Sequence, residues 1–115
     1  MQRGDIWYVD LEPSRASEAN KTRPAVIVSN DRANATASRL GRGVITVVPV
    51  TSNVDRIYPF QVLLQAPDSG LAVASKAQAE QVRSIAAQRL IRRIGRVSAR
   101  ELAELDDALR LHLAL

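Results

Sequence analysis

The run VITVVPVTSN, Val44–Asn53, begins with seven residues of which five are valine or isoleucine and closes in a polar cluster. Branching at Cβ stiffens χ1 and suits a pleated surface, so Val44–Val50 is the strongest strand in the chain, ended by Pro49 and the polar Thr-Ser-Asn. Toward the N-terminus lies NDRANATASRLGRG, whose Asn, Ser and Gly content predicts a loop with room for one helical turn. Before it, PAVIVS (Pro24–Ser29) reads as a short buried strand with proline at its first residue, where a missing N–H harms no ladder. EPSRASEANKT has no apolar periodicity and reads as an exposed loop, and DIWYVDL (Asp5–Leu11) as a further strand.

Toward the C-terminus, YPFQVLLQ (Tyr58–Gln65) and GLAVASKAQ (Gly70–Gln78) read as strands joined by the turn-forming APDSG. AEQVRSI (Ala79–Ile85) predicts one more short strand, and RLIRRIGRV fits helix or strand equally. The end is unambiguous. In SARELAELDDALRLHLAL, Ser98 followed three residues later by Glu101 is a capping box. Leu102, Leu105, Leu109 and His112 or Leu113 then repeat at helical spacing, giving an apolar face that packs on the sheet or on a partner. Short strands followed by one helix predict a mainly β domain, a small and strongly curved sheet or barrel with a C-terminal helix appended.

At 115 residues the chain is expected to form a single domain, 1–115. With 46% hydrophobic and 24% charged residues it has the composition of an ordinary globule. Cysteine is absent, which excludes disulfides and thiol chemistry and suits a reducing compartment. No apolar run approaches the ~20 residues that span a bilayer, and MQRGDIWYVD lacks a signal-peptide layout. A cytoplasmic protein with no membrane partner is the expectation.

The 16 basic and 12 acidic residues are unevenly placed. From Ser98 onward two basic residues face four acidic ones, so positions 1–97 carry 14 basic and 8 acidic residues, a net +6. Fourteen of the 16 cations are arginine, whose fork grips phosphate through two parallel hydrogen bonds, so a polyanionic partner fits. A GC-rich genome accounts for the same count.

Several chemistries are excluded by inventory. His112 is the only histidine and belongs to the terminal helix, where a packing or helix-end role suits it. No Cys/His zinc set, two-metal carboxylate cluster, GxxxxGK[ST] loop or GxGxxG loop occurs, and Gly41-Arg42-Gly43 reads as a turn. What remains is arginine and hydroxyl at strand ends. Arg23 stands where a loop enters a strand, and Thr51 and Ser52 follow the strand Val44–Val50. A rigidly held cation and hydroxyl donors suit charge developing on phosphate oxygens, and RNA supplies its own nucleophile in the 2′-hydroxyl. Taken alone, these residues favour a solvated arginine and a turn threonine over a site.

The order of motifs goes further. RGDIWYVDLEPSRASEANKTRPAVIVSND resembles the opening of the MazF/PemK toxin endoribonucleases at Gly4, Asp5, Ile6, Val9, Asp10, Pro13, Ser17, Glu18, Arg23 and Pro24. VVPVTSN is similar to that family's V-P-x-T-[ST] segment, YPFQV to its Y-P-F-x-V strand and AEQVRSI to its [DE]-Q-[IV]-[KR]-[ST]-[IL] element. The resemblance covers nearly the whole chain. It implies an SH3-like, CcdB-type small β-barrel that forms a homodimer and cuts single-stranded RNA without a metal or cofactor. The implied products are a 2′,3′-cyclic phosphate and a 5′-hydroxyl, and the implied partner is a MazE-like antitoxin with an acidic disordered segment.

By the same resemblance Arg23 and Thr51 are the catalytic pair, with Glu18, Ser52 and Gln81 in support and Ser17, Lys21 and Arg23 contacting RNA. Ala16 replaces the glycine that many relatives carry before Ser-Glu, and Lys21-Thr22 stand where relatives often have Gly or His. Glu18 reads either as the base for the 2′-hydroxyl or as a solvated carboxylate, and Gln81 either as a site residue or as a strand hydrogen-bonding group. CcdB-like proteins on the same fold poison DNA gyrase, so a protein-binding toxin is the alternative, with an inactive RNA-binding module third. The pair Arg23 and Thr51 favours the ribonuclease.

Overall fold

The computed structural model describes residues 1–11 and 22–115. Its centre is β3 (Val44–Thr51), flanked in chain order by β1 (Asp5–Asp10), β2 (Thr22–Ile27) and α1 (Asp31–Leu40) on one side. On the other come β4 (Gln61–Leu64), β5 (Ser75–Gln78), β6 (Arg83–Ala86), β7 (Leu90–Arg96) and α2 (Ala99–Leu113). Every pairing is antiparallel, in the order β4-β5-β3-β2-β1-β7 with β6 also alongside β3. Thus β3 pairs with β6 over Val44–Val47 and with β5 over Val50–Thr51. Pro49, which has no N–H to donate, falls between the two partners while remaining opposite Ala25 of β2.

The strands read as unbroken apolar runs because both faces are covered. On β3, Ile45 and Val47 join Val9, Ala25 and Ile27 in one core beneath Ala37 of α1. Val48 and Val50 point the other way and join Ile6, Val26, Val62 and Leu64 beneath Leu105 and Ala108 of α2. The period of two along each strand thus feeds two cores. The sheet is strongly bent but open, a small barrel-like fold with the expected terminal helix, and no pairing joins β4 to β7 among the described residues.

Local chemistry sets the ends of α2. Glu101 N–H donates to Ser98 Oγ at 3.0 Å and Ser98 N–H to Glu101 Oε1 at 2.9 Å, closing the predicted capping box. The second carboxylate oxygen accepts Gln65 N–H at 2.8 Å, tying the helix to the residue after β4. Glu101→Ala removes the two bonds that the carboxylate accepts, from Ser98 N–H and Gln65 N–H, at a site that is 9% exposed. A loss of about 1–3 kcal/mol is expected in denaturant unfolding, and an unchanged midpoint would contradict this account.

Three expectations are corrected. NDRANATASRLGRG is not a loop: Asp31–Leu40 is a ten-residue helix, capped by Asn30 accepting Ala33 N–H at 2.8 Å and ended by Gly41 at φ 65°. Its buried face is only Asn34 and Ala37, too small and too polar to register as apolar periodicity. Asp31 accepts Arg3 N–H at 2.7 Å, and this bond first, then Asn34, holds its carboxyl below the ordinary carboxylate value. That contribution to folding is present above the ordinary carboxylate pKa and is lost as the pH falls through the lowered one.

The second correction concerns Ala79–Gln81, a 3-10 turn, with strand beginning only at Arg83. The third concerns strand bounds: Tyr58–Phe60 lie outside β4, Gly70–Ala74 outside β5, and β2 begins at Thr22, two residues before Pro24. The ambiguous RLIRRIGRV is strand β7. On α2, Leu105 is fully buried and Leu102 and Leu109 pack partly against the core, whereas His112 and Leu113 are exposed in the last turn. No helix among the described residues is long and apolar enough to cross a membrane.

Candidate active site

Strands β2 and β3 run in a one-for-one register, with Ala25 opposite Pro49, Val26 opposite Val48 and Ile27 opposite Val47. The paired ladder ends at Ala25 and Pro49; two residues beyond it Arg23 stands opposite Val9 of β1 and Thr51 opposite Lys76 of β5, and both reach one cleft. Pro24 is the third residue of β2 and stands opposite Tyr8 of β1, a ladder that continues through Arg23 to Thr22.

Arg23, Thr51 and Ser52 form one side of a cleft of about 530 Å³. Tyr8, Pro24 and Val50 also line it, and the segment Gly70–Ser75 with Arg92 and Ile94 of β7 completes it. That segment is held by a close crossing. Ser69 C=O accepts Arg96 N–H at 3.1 Å, and the backbone passes so near β7 that a Cβ on Gly95 would collide with the Ser69 carbonyl. Gly70, at φ 88°, would collide with Ile94 in the same way. Two glycines therefore let the loop lie directly on the strand and bring its apolar residues to the cleft.

The cleft is electrostatically one-sided. Arg23 and Arg92 line it, and none of the described lining residues is acidic. Thr51 Oγ1 accepts Asn53 N–H at 3.3 Å in a local turn, which leaves its own O–H as a donor. Behind it the ammonium of Lys76, 8% exposed and paired across strands with Thr51, donates to the Arg56 carbonyl at 2.6 Å. This tethers the loop after β3, so Thr51 and Ser52 leave a strand end fixed on both sides.

The expected site residues separate clearly. Arg23, Thr51 and Ser52 come together in the cleft. Gln81 ends the 3-10 turn, is exposed, and is not among the lining residues of this cleft. Ser17, Glu18 and Lys21 lie outside the described residues. Among the described residues no three His, Asp or Glu side chains gather as a metal site. Sequence reasoning missed Tyr8, Arg92 and the Gly70–Ser75 wall. The available signal was RLIRRIGRV: once it is strand, its arginines divide between the two faces.

Residues 2–113 match the family model of PemK-like, MazF-like toxins of type II toxin-antitoxin systems. The chain belongs to this family. The chain is 73% identical to Endoribonuclease MazF9 of Mycobacterium tuberculosis over 115 residues, all of this chain and 98% of that protein. It is 31% identical to Endoribonuclease EndoA of Bacillus subtilis, over all of this chain and 96% of that one. Among solved structures, MazF of Deinococcus radiodurans superposes with a TM-score of 0.76 at 26% identity, covering 100% of this chain and 97% of that one. An endoribonuclease from a mycobacterial species, in complex with its cognate antitoxin, has the same fold, with a TM-score of 0.79 over 100% of this chain and 96% of that one at 22% identity. In this MazF-like toxin the conserved architecture is therefore the bent sheet with its terminal helix, and the cleft stands at the ends of β2 and β3.

Proposed function

We propose that this MazF-like toxin is an endoribonuclease that cuts single-stranded RNA in the cleft between β2, β3 and the Gly70–Ser75 segment. The observation that carries the reading is the presence of Arg23 and Thr51 together in a cleft that holds two arginines and, among its described lining residues, no carboxylate. Relatives named as endoribonucleases support it, and none of those relatives is named for gyrase binding.

The chemistry follows from the donors. The 2′-hydroxyl of the substrate attacks the adjacent phosphorus, the bond to the 5′-oxygen breaks, and a 2′,3′-cyclic phosphate and a 5′-hydroxyl result. As the pentavalent centre forms, charge grows on the non-bridging oxygens. Arg23 meets it with its fork and Thr51 with its O–H, both positioned before reaction begins. One proton leaves the 2′-oxygen and one is delivered to the 5′-oxygen. A guanidinium is too weak an acid to exchange them readily, and we assign removal of the first proton to Glu18. Ser52, exposed at the cleft, supplies a further hydroxyl to the same phosphate.

An RNA target places the toxin in the cytoplasm. Its regulator is a cognate MazE-like antitoxin whose acidic, disordered segment orders over the same positive cleft. The active form is a homodimer, in keeping with the exposed Leu111, Leu113 and Leu115 beyond the packed part of α2. The deciding experiment incubates the purified protein with mixed RNA and maps the new ends. Cleavage is expected to persist in excess EDTA and to leave cyclic phosphate or its 3′-phosphate hydrolysis product. Loss in EDTA with recovery in magnesium would replace this mechanism with a metal-assisted one.

A further inference from the structure

Strand β7 carries Arg92, Arg93 and Arg96 within five residues, and the fold uses them differently. Its pairing with β1 is interrupted twice: Ile6 opposes Gly95 but Trp7 opposes Arg93, and Tyr8 opposes Arg92 but Val9 opposes Leu90. Each irregularity spends an extra residue of β7, Ile94 and Ile91, and re-aims the side chains between them. Arg93 and Arg96 reach the buried carboxylate of Asp5 at 3.4 and 3.0 Å. Arg92 turns to the cleft, where its guanidinium lies 4.5 Å from the centroid of the Tyr8 ring. Among the described residues it meets no carboxylate.

We propose that Arg92 is a second phosphate-binding residue of the toxin, holding a phosphate next to the scissile one; this rests on reading the cleft as an RNA site. The Tyr8 ring occupies one face of the guanidinium and leaves its in-plane N–H donors directed outward, the edge that grips two phosphate oxygens. Packing on the ring also fixes a long side chain in advance, so less freedom is lost when RNA binds. Position separates its role from that of Arg23. β1 and β2 lie between β7 and β3 in the sheet, so Arg92 and Thr51 enter the shared cleft from separate strands. Arg92 stands opposite Tyr8 and Arg23 opposite Val9, adjacent residues of β1 that project to opposite faces, so the two guanidiniums reach the cleft from different sides and suit different phosphates of one strand. A contact away from the reacting phosphorus is as strong before the transition state as in it, so it governs KM and not kcat.

The test uses an oligonucleotide carrying a cut site mapped with the wild-type protein, in a series where one phosphate at a time is replaced by a neutral methylphosphonate. Arg92→Gln is expected to raise KM about tenfold or more, with kcat within about twofold of wild type. Its affinity should fall less steeply with salt, by roughly 0.7 in the log–log slope for one phosphate contact on a single strand. One flanking methylphosphonate should weaken wild type about as much and the variant hardly at all. Arg93→Gln removes the same charge from the same strand while Arg96 still pairs Asp5, and should keep wild-type KM and full methylphosphonate sensitivity. A wild-type KM in folded Arg92→Gln overturns the proposal. So does a weakened variant that remains equally sensitive at every phosphate, because the arginine then acts through Tyr8 packing or general charge. If the wild-type protein cuts no RNA, the mapping step itself shows it, and the functional reading falls together with this assignment.

Discussion

Arg23→Ala is expected to lower the rate of RNA cleavage by about two orders of magnitude or more, the scale for losing one preorganised donor to a developing oxyanion. Thr51→Val should do the same while keeping the β-branched shape that fits a strand end. Neither change is expected to unfold the protein, because Arg23 is exposed and Thr51 half-buried at the mouth of the cleft. Arg23→Lys should recover only part of the rate, since an ammonium cannot reproduce a planar two-bond fork. Single-turnover rates at saturating enzyme, read beside thermal melts, separate catalysis from folding. A folded Thr51→Val protein with wild-type rate would remove that hydroxyl from the mechanism. Equal losses in kcat and kcat/KM would mark contacts made mainly in the transition state, the opposite of the pattern expected for Arg92→Gln.

Replacing the 2′-hydroxyl by hydrogen at the cut nucleotide alone should reduce cleavage to background while leaving binding nearly intact. The cleft supplies cations and hydroxyl donors, and the nucleophile in this mechanism belongs to the substrate. The same replacement one nucleotide away should leave cutting in place, because only the oxygen beside the reacting phosphorus is consumed. Continued cleavage of the deoxy substrate, with phosphate retained on the 5′ end of the downstream fragment, would mean that water attacks instead. Arg23 and Thr51 would then be stabilising a different reaction.

The two results bear on different links of the argument. Loss of rate in the protein variants tests whether Arg23 and Thr51, at the ends of β2 and β3, are the catalytic pair. Loss of rate in the deoxy substrate tests whether the phosphate is attacked from within the RNA. Failure of the second with success of the first would keep the site and change the chemistry.

Much of this was legible from local rules. The strand Val44–Thr51 follows from a run of β-branched residues, and α2 from Ser98 and Glu101, whose capping box is complete within three residues of chain. Arg23 and Thr51 stand out in the sequence because both lie at strand ends, and the adjacency of β2 and β3 brings those ends to one cleft. Helix α1 escaped, because its inward face is Asn34 and Ala37 and no apolar stripe betrays a helix buried by a polar side chain. Arg92 escaped for another reason. Its direction depends on two irregularities in the β1–β7 ladder, and three neighbouring arginines look alike until Asp5 claims two of them. The Gly70–Ser75 wall depends on Gly95, whose missing Cβ matters only because a distant loop crosses it. Capping and apolar alternation act between residues a few positions apart, so the sequence by itself determined where most strands run and how the last helix begins. Which side chains face one another across the cleft depends on pairings between remote strands, a free energy shared by the whole sheet, and only the tertiary structure decided it.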